Sequence, residues 1–311
     1  MKKLALIFYA LFFSSAFSQT NAIDSLTSLL KSDKEDTNKV KHLNALGWEL
    51  MYQNPDTAIL LSTQALEIAT SIPSGMGRGW AIAQSNAQLG SYYYLKGDYP
   101  KALEYYFKAL KLNEEIGNKK SIAANLTNIG NVYNDQGDYP KALEYYFKSL
   151  KLDEETGNKK GVASNLGNIG IVYKYQGDYP KALEYYFKAL KLNEEIGKKN
   201  KIAFNLNNIG IIYYDQVDYP KALEYYFKAL KLNEEIGNKN NNALNLGNIG
   251  QVYTMQKKYK EAEEYLLKAL KLNEEIGDKY DIAENLGKIG GLYTKQKKYK
   301  EAEEYLLKAL E

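Results

Sequence analysis

The chain has 311 residues, of which 45% are hydrophobic, and a formal net charge of +3. This composition allows a buried core and excludes a disordered chain, and the small charge argues against nucleic-acid binding, which needs a basic face. Cysteine is absent and His42 is the only histidine. A zinc site or a catalytic triad would depend on that one side chain, so no metal, cofactor or catalytic residue is predicted.

The N-terminus has the pattern of an export signal. Two lysines precede an apolar run from Leu4 to Phe13, and small residues follow. The run is too short to span a bilayer as a helix, and the order basic, apolar, small is typical of a secretory signal peptide. We predict that residues 1–18 are a signal peptide, cleaved after Ser18, of an exported bacterial protein that is periplasmic, secreted or at the cell surface. A retained N-terminal anchor is the alternative.

The rest of the sequence is dominated by a period of 40 residues. The motif Gly-Asp-Tyr-Pro-Lys-Ala-Leu-Glu-Tyr-Tyr-Phe-Lys begins at Gly97, Gly137 and Gly177 and recurs with changes 40, 80 and 120 residues further on. A fixed period of this length indicates a repeat architecture. Residues 19–37 are predicted as a short helix that caps the first repeat. Seven copies are predicted to follow, the last one incomplete: 38–78, 79–118, 119–158, 159–198, 199–238, 239–278 and 279–311.

Each copy predicts two helices, as the third copy illustrates. Residues 121–136 predict the first, helix A, and Gly137 can take the left-handed conformation that ends it. Asp138 can cap the second, helix B, with Pro140 in its first turn, and helix B continues to about residue 156. One face of helix B carries charged residues at helical spacing and is predicted to be solvated: Lys141, Glu144, Lys148, Lys151 and Glu155. Residues 73–79, which contain three glycines, predict a loop between the first two copies.

The third copy resembles a known family, the tetratricopeptide repeats. The signature residues are Asn128-Ile129-Gly130-Asn131-Val132-Tyr133, Gln136-Gly137-Asp138-Tyr139, Ala142, Tyr146 and Leu150. The period is longer than the family's usual one of about 34 residues and is similar to that of kinesin light chains and bacterial sensor arrays. The resemblance implies an all-α fold, a right-handed superhelical solenoid of antiparallel helix pairs. Gly130 and Ala142 then let two helices approach closely, and Tyr133 and Tyr146 fill the space beside them.

Comparison of the copies places a candidate binding surface on helix A. Leu126, Ile129, Gly130 and Tyr133 barely change in the next four copies, whereas positions 124, 127, 131, 134 and 135 vary. At about 100° per residue, the two sets lie on opposite sides of the helix. In the family the free side lines a concave groove that binds peptides, and plain surface is the alternative. The resemblance implies these groove residues: Asn128, Asn131, Asn134, Asp135, Asn168, Ile171, Lys174, Tyr175, Phe204, Asn207, Asn208, Ile211, Tyr214, Asp215, Asn248, Gln251 and Thr254.

Two features stand out within the predicted groove. The first is an apolar, aromatic patch near the middle of the array, formed by Ile171, Tyr175, Phe204, Ile211 and Tyr214, and such patches mark interaction surfaces. The second is a row of asparagines: Asn128, Asn168, Asn208 and Asn248. Because an amide both donates and accepts, these side chains are predicted either to hold an extended peptide backbone or to bond to the neighbouring helix.

The sequence therefore predicts a scaffold or adaptor that binds a protein or peptide, and neither an enzyme nor a nucleic-acid-binding protein. The alternative is the sensory input region of a bacterial histidine kinase or transcription regulator, whose output domain lies outside this chain. The last copy stops at Glu311, midway through helix B. A solenoid end without a polar cap exposes an apolar flank, which is a candidate surface for self-association or for a neighbouring chain.

Overall fold

The computed structural model describes residues 21–310, and the predicted signal peptide lies outside them. Within this range the chain forms fifteen helices and no strand, so the all-α prediction is confirmed. No helix of this range is long and apolar enough to cross a membrane. The helices are α1 (residues 21–32), α2 (Thr37–Leu50), α3 (Pro55–Ser71), α4 (Met76–Leu95), α5 (Tyr99–Glu115), α6 (Lys119–Asp135), α7 (Tyr139–Glu155), α8 (Lys159–Tyr175), α9 (Tyr179–Glu195), α10 (Lys199–Asp215), α11 (Tyr219–Glu235), α12 (Lys239–Met255), α13 (Tyr259–Ile276), α14 (Lys279–Lys295) and α15 (Tyr299–Lys308).

The chain divides into two compact units, residues 1–161 and residues 162–311. In the first unit, α2 packs on α3, α4 on α5 and α6 on α7. In the second unit, α10 packs on α11, α12 on α13 and α14 on α15. The even-numbered helices from α2 are the helices A of the repeat, and the odd-numbered helices from α3 are the helices B. Three helices B, α5, α9 and α11, have the same sequence over all 17 residues.

The turn inside each pair forms for the reasons that the sequence predicts. Gly137 has φ +76°, in the left-handed region, which glycine enters without a steric penalty. The carboxylate of Asp138 accepts a hydrogen bond from the backbone N–H of Lys141 at 3.3 Å, and Pro140 lies in the first turn of α7. The chain therefore reverses direction within three residues, and the two helices run antiparallel.

Two helix starts differ from the prediction. Helix α6 begins at Lys119, because the side chain of Asn118 caps it by accepting a hydrogen bond from the N–H of Ser121 at 3.2 Å. Helix α4 begins at Met76, so the loop between the first two copies is shorter than residues 73–79. Gly77 serves close packing, since a Cβ at this position would lie 2.9 Å from Cγ2 of Thr37.

The glycine of helix A is the contact point of each pair. A Cβ on Gly130 would lie 2.6 Å from the ring of Tyr146, and Ala142 opposite is fully buried. The predicted close approach of the two helices is therefore confirmed. Tyr133 has a different partner, because its ring stacks on Tyr145 at a centroid distance of 5.5 Å. The pair α6 and α7 thus has one buried tyrosine and one stacked pair of tyrosines, whereas Leu266 takes the place of the buried tyrosine in the pair α12 and α13.

The N-terminal segment of the described chain is helical, and one of its leucines reaches the core. Leu30 of α1 packs against the buried cluster that contains Val40 and Leu43, whereas Leu29 is exposed. The ring of His42 is half-buried, and its Nδ1 lies 2.7 Å from a carboxylate oxygen of Asp33. Within residues 21–310, no group of three or more His, Asp or Glu side chains is arranged to hold a metal ion.

The charged face of helix B is exposed, as predicted. Lys148 lies 2.6 Å from Glu144, and both side chains are more than half exposed. Exposed pairs at i, i+4 contribute only about 0.3–0.5 kcal/mol each, so this face adds little to the stability of the fold. Leu307 of α15 and Leu310, which follows this helix, are exposed.

Candidate functional site

The two sides of helix A differ in burial in the way that the comparison of the copies predicts. In α6, Leu126, Ile129 and Gly130 are buried, and Asn131 and Asp135 on the other side are half-buried or exposed. We call this other side, at positions equivalent to 124, 128, 131, 134 and 135, the A face. Clefts lie between the A faces of consecutive helices A in both units.

In the first unit, the predicted residues of α6 are held by polar contacts. Asn131 accepts a hydrogen bond from the hydroxyl of Tyr146 at 2.7 Å, and Asn134 donates to Asp135 at 3.1 Å. The hydroxyl of Tyr94, on α4, also donates to Asp135. Burial and the hydrogen bond to this carboxylate raise the pKa of Tyr94 well above its ordinary value. Tyr94 and Asp135 thus join two neighbouring helices A.

A cleft of about 240 Å³ lies between α4 and α6, beside Asn128. Trp80 and Gln84 form its α4 wall, and Ala124 lies opposite. The ammonium of Lys41 lies 5.3 Å from the centre of the Trp80 ring. The sequence analysis missed Trp80 and Gln84, because the second copy was not included when the variable positions were compared. Their spacing from the glycine of helix A would have identified them.

The first copy adds exposed aromatic residues to the same face. Trp48 follows the helix A glycine, Gly47, as Asn131 follows Gly130, and Tyr52 lies in the turn after α2. Trp48 is 50% exposed and Tyr52 is 76% exposed. Large aromatic residues at such exposure are candidates for interface anchors. They too were missed, because the first copy is the most diverged of the seven.

In the second unit, the predicted apolar patch is only partly exposed. Phe204 is 42% exposed and Tyr175 is 59% exposed. Ile171, Ile211 and Tyr214 are half-buried, and each packs against a core cluster of this unit. The patch therefore offers two exposed aromatic rings, while its other members support the repeat itself.

A charged pair links two A faces of the second unit. Lys174 on α8 and Asp215 on α10 interact, and the ammonium of Lys174 lies 4.9 Å from the centre of the Tyr175 ring. Desolvation lowers the pKa of Lys174, and the charge of Asp215 partly opposes this effect. Desolvation raises the pKa of Asp215, against the opposing charge of Lys174. Asp215 occupies the same repeat position as Asp135, and each of the two carboxylates interacts with a residue of the preceding helix A, Lys174 and Tyr94 respectively.

Two of the predicted groove residues are buried, which corrects the prediction for them. Asn207 is 8% exposed and Asn208 is 5% exposed. Asn208 donates to the backbone carbonyl of Phe204 at 2.9 Å. Asn207 accepts a hydrogen bond from Asn248 of the next helix A at 3.1 Å. Asn208 thus bonds within its own helix, which neither predicted role describes, whereas Asn248 bonds to the neighbouring helix A, the second of the two predicted roles. Asn168 is half-buried.

The second unit also holds a larger cleft on the A face, between α12 and α14. It has a volume of about 390 Å³ and contains Gln251 and Thr254, both predicted, together with Met255. Gly291 lies on the opposite wall, where a Cβ would meet nothing within 4 Å. A further cleft of about 500 Å³ lies between the helices B α11 and α13 and is lined by Lys268, Lys271, Glu234 and other residues. Charged residues line both clefts: Glu284, Lys288 and Lys295 in the first, and Glu234, Glu275, Lys268 and Lys271 in the second.

Buried asparagines at the junctions between copies are the feature that the sequence analysis did not identify. One set lies on helix A at position 125 and its equivalents, and another lies near the end of helix B. All of the following are at most 4% exposed: Asn125, Asn165, Asn205, Asn245, Asn285, Asn113, Asn193, Asn233 and Asn273. Their presence in nearly every copy was the available signal. Buried amides need partners, and at one junction Asn233 of α11 donates to Asn245 of α12, which joins two copies.

Comparisons with known proteins agree with this architecture. The family model of the tetratricopeptide repeat matches residues 81–155, 121–195, 161–235, 201–275 and 241–311. A comparison with curated proteins finds no match.

Several solved structures have a similar fold. BtubC (BKLC) from P. vanneervenii is 21% identical, with a TM-score of 0.64 over 73% of this chain and 92% of BtubC. A Rap protein complexed with competence and sporulation factor is 15% identical, with a TM-score of 0.65 over 99% of this chain and 97% of Rap. The apo form of the quorum sensor NprR from B. thuringiensis is 14% identical, with a TM-score of 0.60 over 94% of this chain and 96% of NprR. The repeat model matches well over half of the sequence, and the chain belongs to the tetratricopeptide repeat family.

Proposed function

We propose that this chain is an exported scaffold that binds a protein or peptide segment on its A faces. One observation carries the proposal. The copies keep the same residues on the buried side of helix A, and they differ on the side that lines the clefts. A shared framework with variable clefts is the arrangement that lets one fold recognise a particular sequence of side chains.

The A face offers both apolar and polar groups that suit a peptide. Tyr175, Phe204 and Met255 offer exposed apolar surface, which can anchor hydrophobic side chains. Gln251 and Thr254 lie beside Met255 in one cleft, and their amide and hydroxyl groups can bond to a peptide backbone. The proposal assigns binding to this face and no catalysis.

A solved relative supports a ligand-binding role for this fold. The Rap protein, whose fold resembles that of the present chain, is complexed with competence and sporulation factor. Because the identity is only 15%, the likeness supports the type of architecture, and the ligand of the present chain follows from its own A face.

Peptide selection on the purified chain tests the proposal. We expect peptides selected from a displayed library to bind at least about tenfold more weakly to a Tyr175→Ala/Phe204→Ala double variant, because aromatic anchors carry much of the binding energy of such interfaces. A double variant on helices B, Phe187→Ala/Tyr299→Ala, removes the same two residue types from exposed positions and should bind normally. Equal binding by all three proteins would contradict the proposal.

Export is tested separately. The basic, apolar and small segments of residues 1–18 support cleavage by a signal peptidase. When the full gene is expressed in a bacterium, we expect mass spectrometry of the mature protein to show Gln19 as its first residue. A protein that keeps residues 1–18 in the cytoplasm would refute export and leave the binding proposal unaffected.

A further inference from the structure

A small cavity in the second unit combines buried amides with two apolar side chains at its rim. It lies between α10, α11 and α12 and has a volume of about 150 Å³, enough for several water-sized groups. Phe204 and Leu244 flank it, and amides of Asn207, Asn233 and Asn245 line it. None of the described residues that line it is charged.

The amides form a directed chain of hydrogen bonds. Asn233 donates to Asn245 at 2.9 Å, and Asn245 donates to Asn207 at 2.9 Å. Asn248 donates to the same oxygen of Asn207 at 3.1 Å. Both lone pairs of that oxygen are therefore used. The series of hydrogen bonds ends at Asn207, whose acceptor is satisfied.

At the other end of this series of hydrogen bonds, one acceptor has no partner among the described residues. Asn233 is 1% exposed, and its Oδ1 has no hydrogen-bond partner among the described residues. A buried acceptor without a donor is costly. Because the side chain of Asn233 lines the cavity, a group that enters the cavity and carries an N–H would relieve this cost.

The uncharged lining also restricts which chemical groups can bind in the cavity. A carboxylate has no N–H to offer Asn233. An ammonium would lose its water without meeting a counter-ion, which is expensive. A neutral carboxamide supplies the N–H, and the methylene groups behind it can pack between Phe204 and Leu244, which are 42% and 41% exposed. These two residues occupy the same position in consecutive copies, where the cleft between α4 and α6 has Gln84 and Ala124.

We propose that this cavity binds the side-chain carboxamide of a glutamine or asparagine in a peptide that lies on the A face. The amide nitrogen of the ligand donates to Oδ1 of Asn233, and its stem packs between Phe204 and Leu244. The inference rests on the proposed function, since the carboxamide belongs to the bound peptide. It adds to the proposed function the type of side chain that the peptide must carry and the place where that side chain binds.

Nuclear magnetic resonance with a small probe tests the cavity without any peptide. Propionamide reproduces the end of a glutamine side chain, and methyl propionate has a similar shape but no N–H. We expect propionamide to shift the side-chain amide signals of Asn233 and Asn245 and methyl propionate to leave them unchanged. Absent shifts with propionamide, or equal shifts with both compounds, would overturn the proposal.

Variants of the chain provide the controls. Asn233→Ala should abolish the response to propionamide, and Asn193→Ala, at the equivalent buried position of the copy before, should preserve it. If Asn233→Ala does not fold, Leu244→Ala at the exposed rim provides the second test, and we expect it to weaken binding of propionamide about fivefold or more. A response unchanged in Leu244→Ala would overturn the placement of the carboxamide.

Peptides selected on the chain separate this inference from the proposed function. We expect them to share a glutamine or asparagine whose replacement by glutamate or leucine weakens binding about tenfold. Selected peptides without such a residue, together with no response to propionamide, would overturn the carboxamide site and leave peptide binding intact. Binding of propionamide in a chain that selects no peptide would support the carboxamide site and contradict the proposed function.

Discussion

Single residues at the turn between helix A and helix B differ in conformational strain between copies. The first copies with this turn place a glycine in the left-handed region, with φ of 74° to 76° at Gly97, Gly137 and Gly177. Later copies place Val217, Lys257 and Lys297 there, with φ of 63°, 61° and 62°. A side chain in this region costs about 1–2 kcal/mol, and a β-branched residue fits it poorly.

Replacement of Val217 by glycine should therefore stabilise the chain. The Val217 side chain is exposed, so its removal loses little packing, and we expect the free energy of unfolding to rise by about 1 kcal/mol. The reverse change, Gly177→Val, should lower it by a similar amount. Urea unfolding followed by circular dichroism measures both, and a Val217→Gly variant no more stable than the parent would contradict the argument.

In contrast to the turn residue, the glycine in the middle of helix A lies close to helix B, and its replacement should destabilise the chain. Gly130→Leu would force a side chain into the ring of Tyr146 and should lower the free energy of unfolding by about 1–3 kcal/mol through overpacking. Gly291→Leu is the matched control, because a Cβ there meets nothing within 4 Å, and leucine is the better helix former. We expect thermal melts to show a loss for the first variant and none for the second. An unchanged melting curve for Gly130→Leu would argue against the observed pairing of α6 with α7.

At the scale of helices, the copies differ in how helix B begins. Asp138 and Asp218 cap α7 and α11 with their side chains, whereas α13 follows Lys258, which makes no side-chain capping bond. Lys258→Asp should raise the free energy of unfolding by about 0.5–1 kcal/mol, since it supplies a cap and places a negative charge at a helix N-terminus. Asp218→Lys should have the opposite effect. Urea unfolding of the two variants checks the pair, and the same sign for both would refute it.

The boundaries of the helices could be predicted from the sequence more completely than the accessible residues of the A face. Gly137, Asp138 and Pro140 act locally, so their pattern alone fixes where one helix ends and the next begins. The burial of Asn207 could not be predicted in this way. Its position varies between copies, as a surface position does, and its burial depends on the distance to Asn245 of the next helix A. Variation between copies shows where the repeat permits change, and only the packing of neighbouring helices shows which of those positions remain accessible.

For the whole molecule, buried tyrosines should set the alkaline limit of stability. Burial raises the pKa of Tyr92 and Tyr106 to about 12, and it raises that of Tyr146, Tyr186 and Tyr226 further. The folded pKa values lie above the ordinary value of about 10, so folding favours the neutral phenols. Their contribution to stability is fully present below pH 10 and is lost as the pH rises through the folded values.

We therefore expect the free energy of unfolding to fall steeply above pH 10 in both units. Helix content and the absorbance of phenolate at 295 nm should change together, because the buried tyrosines ionise only as the chain unfolds. Ionisation of all tyrosines near pH 10 in a chain that stays helical would contradict the prediction.

The identical sequences of α5, α9 and α11 have a consequence for how this protein evolves. Where two stretches of a gene encode the same 17 residues, unequal crossing-over between them deletes or duplicates whole repeats, and every product carries an unbroken helix B at the junction. Recombination between the segments for α9 and α11 removes or adds 40 residues while the turns, caps and glycine contacts of the remaining pairs keep their sequence. The number of clefts can thus change in a single genetic step, before any point mutation alters what a cleft recognises.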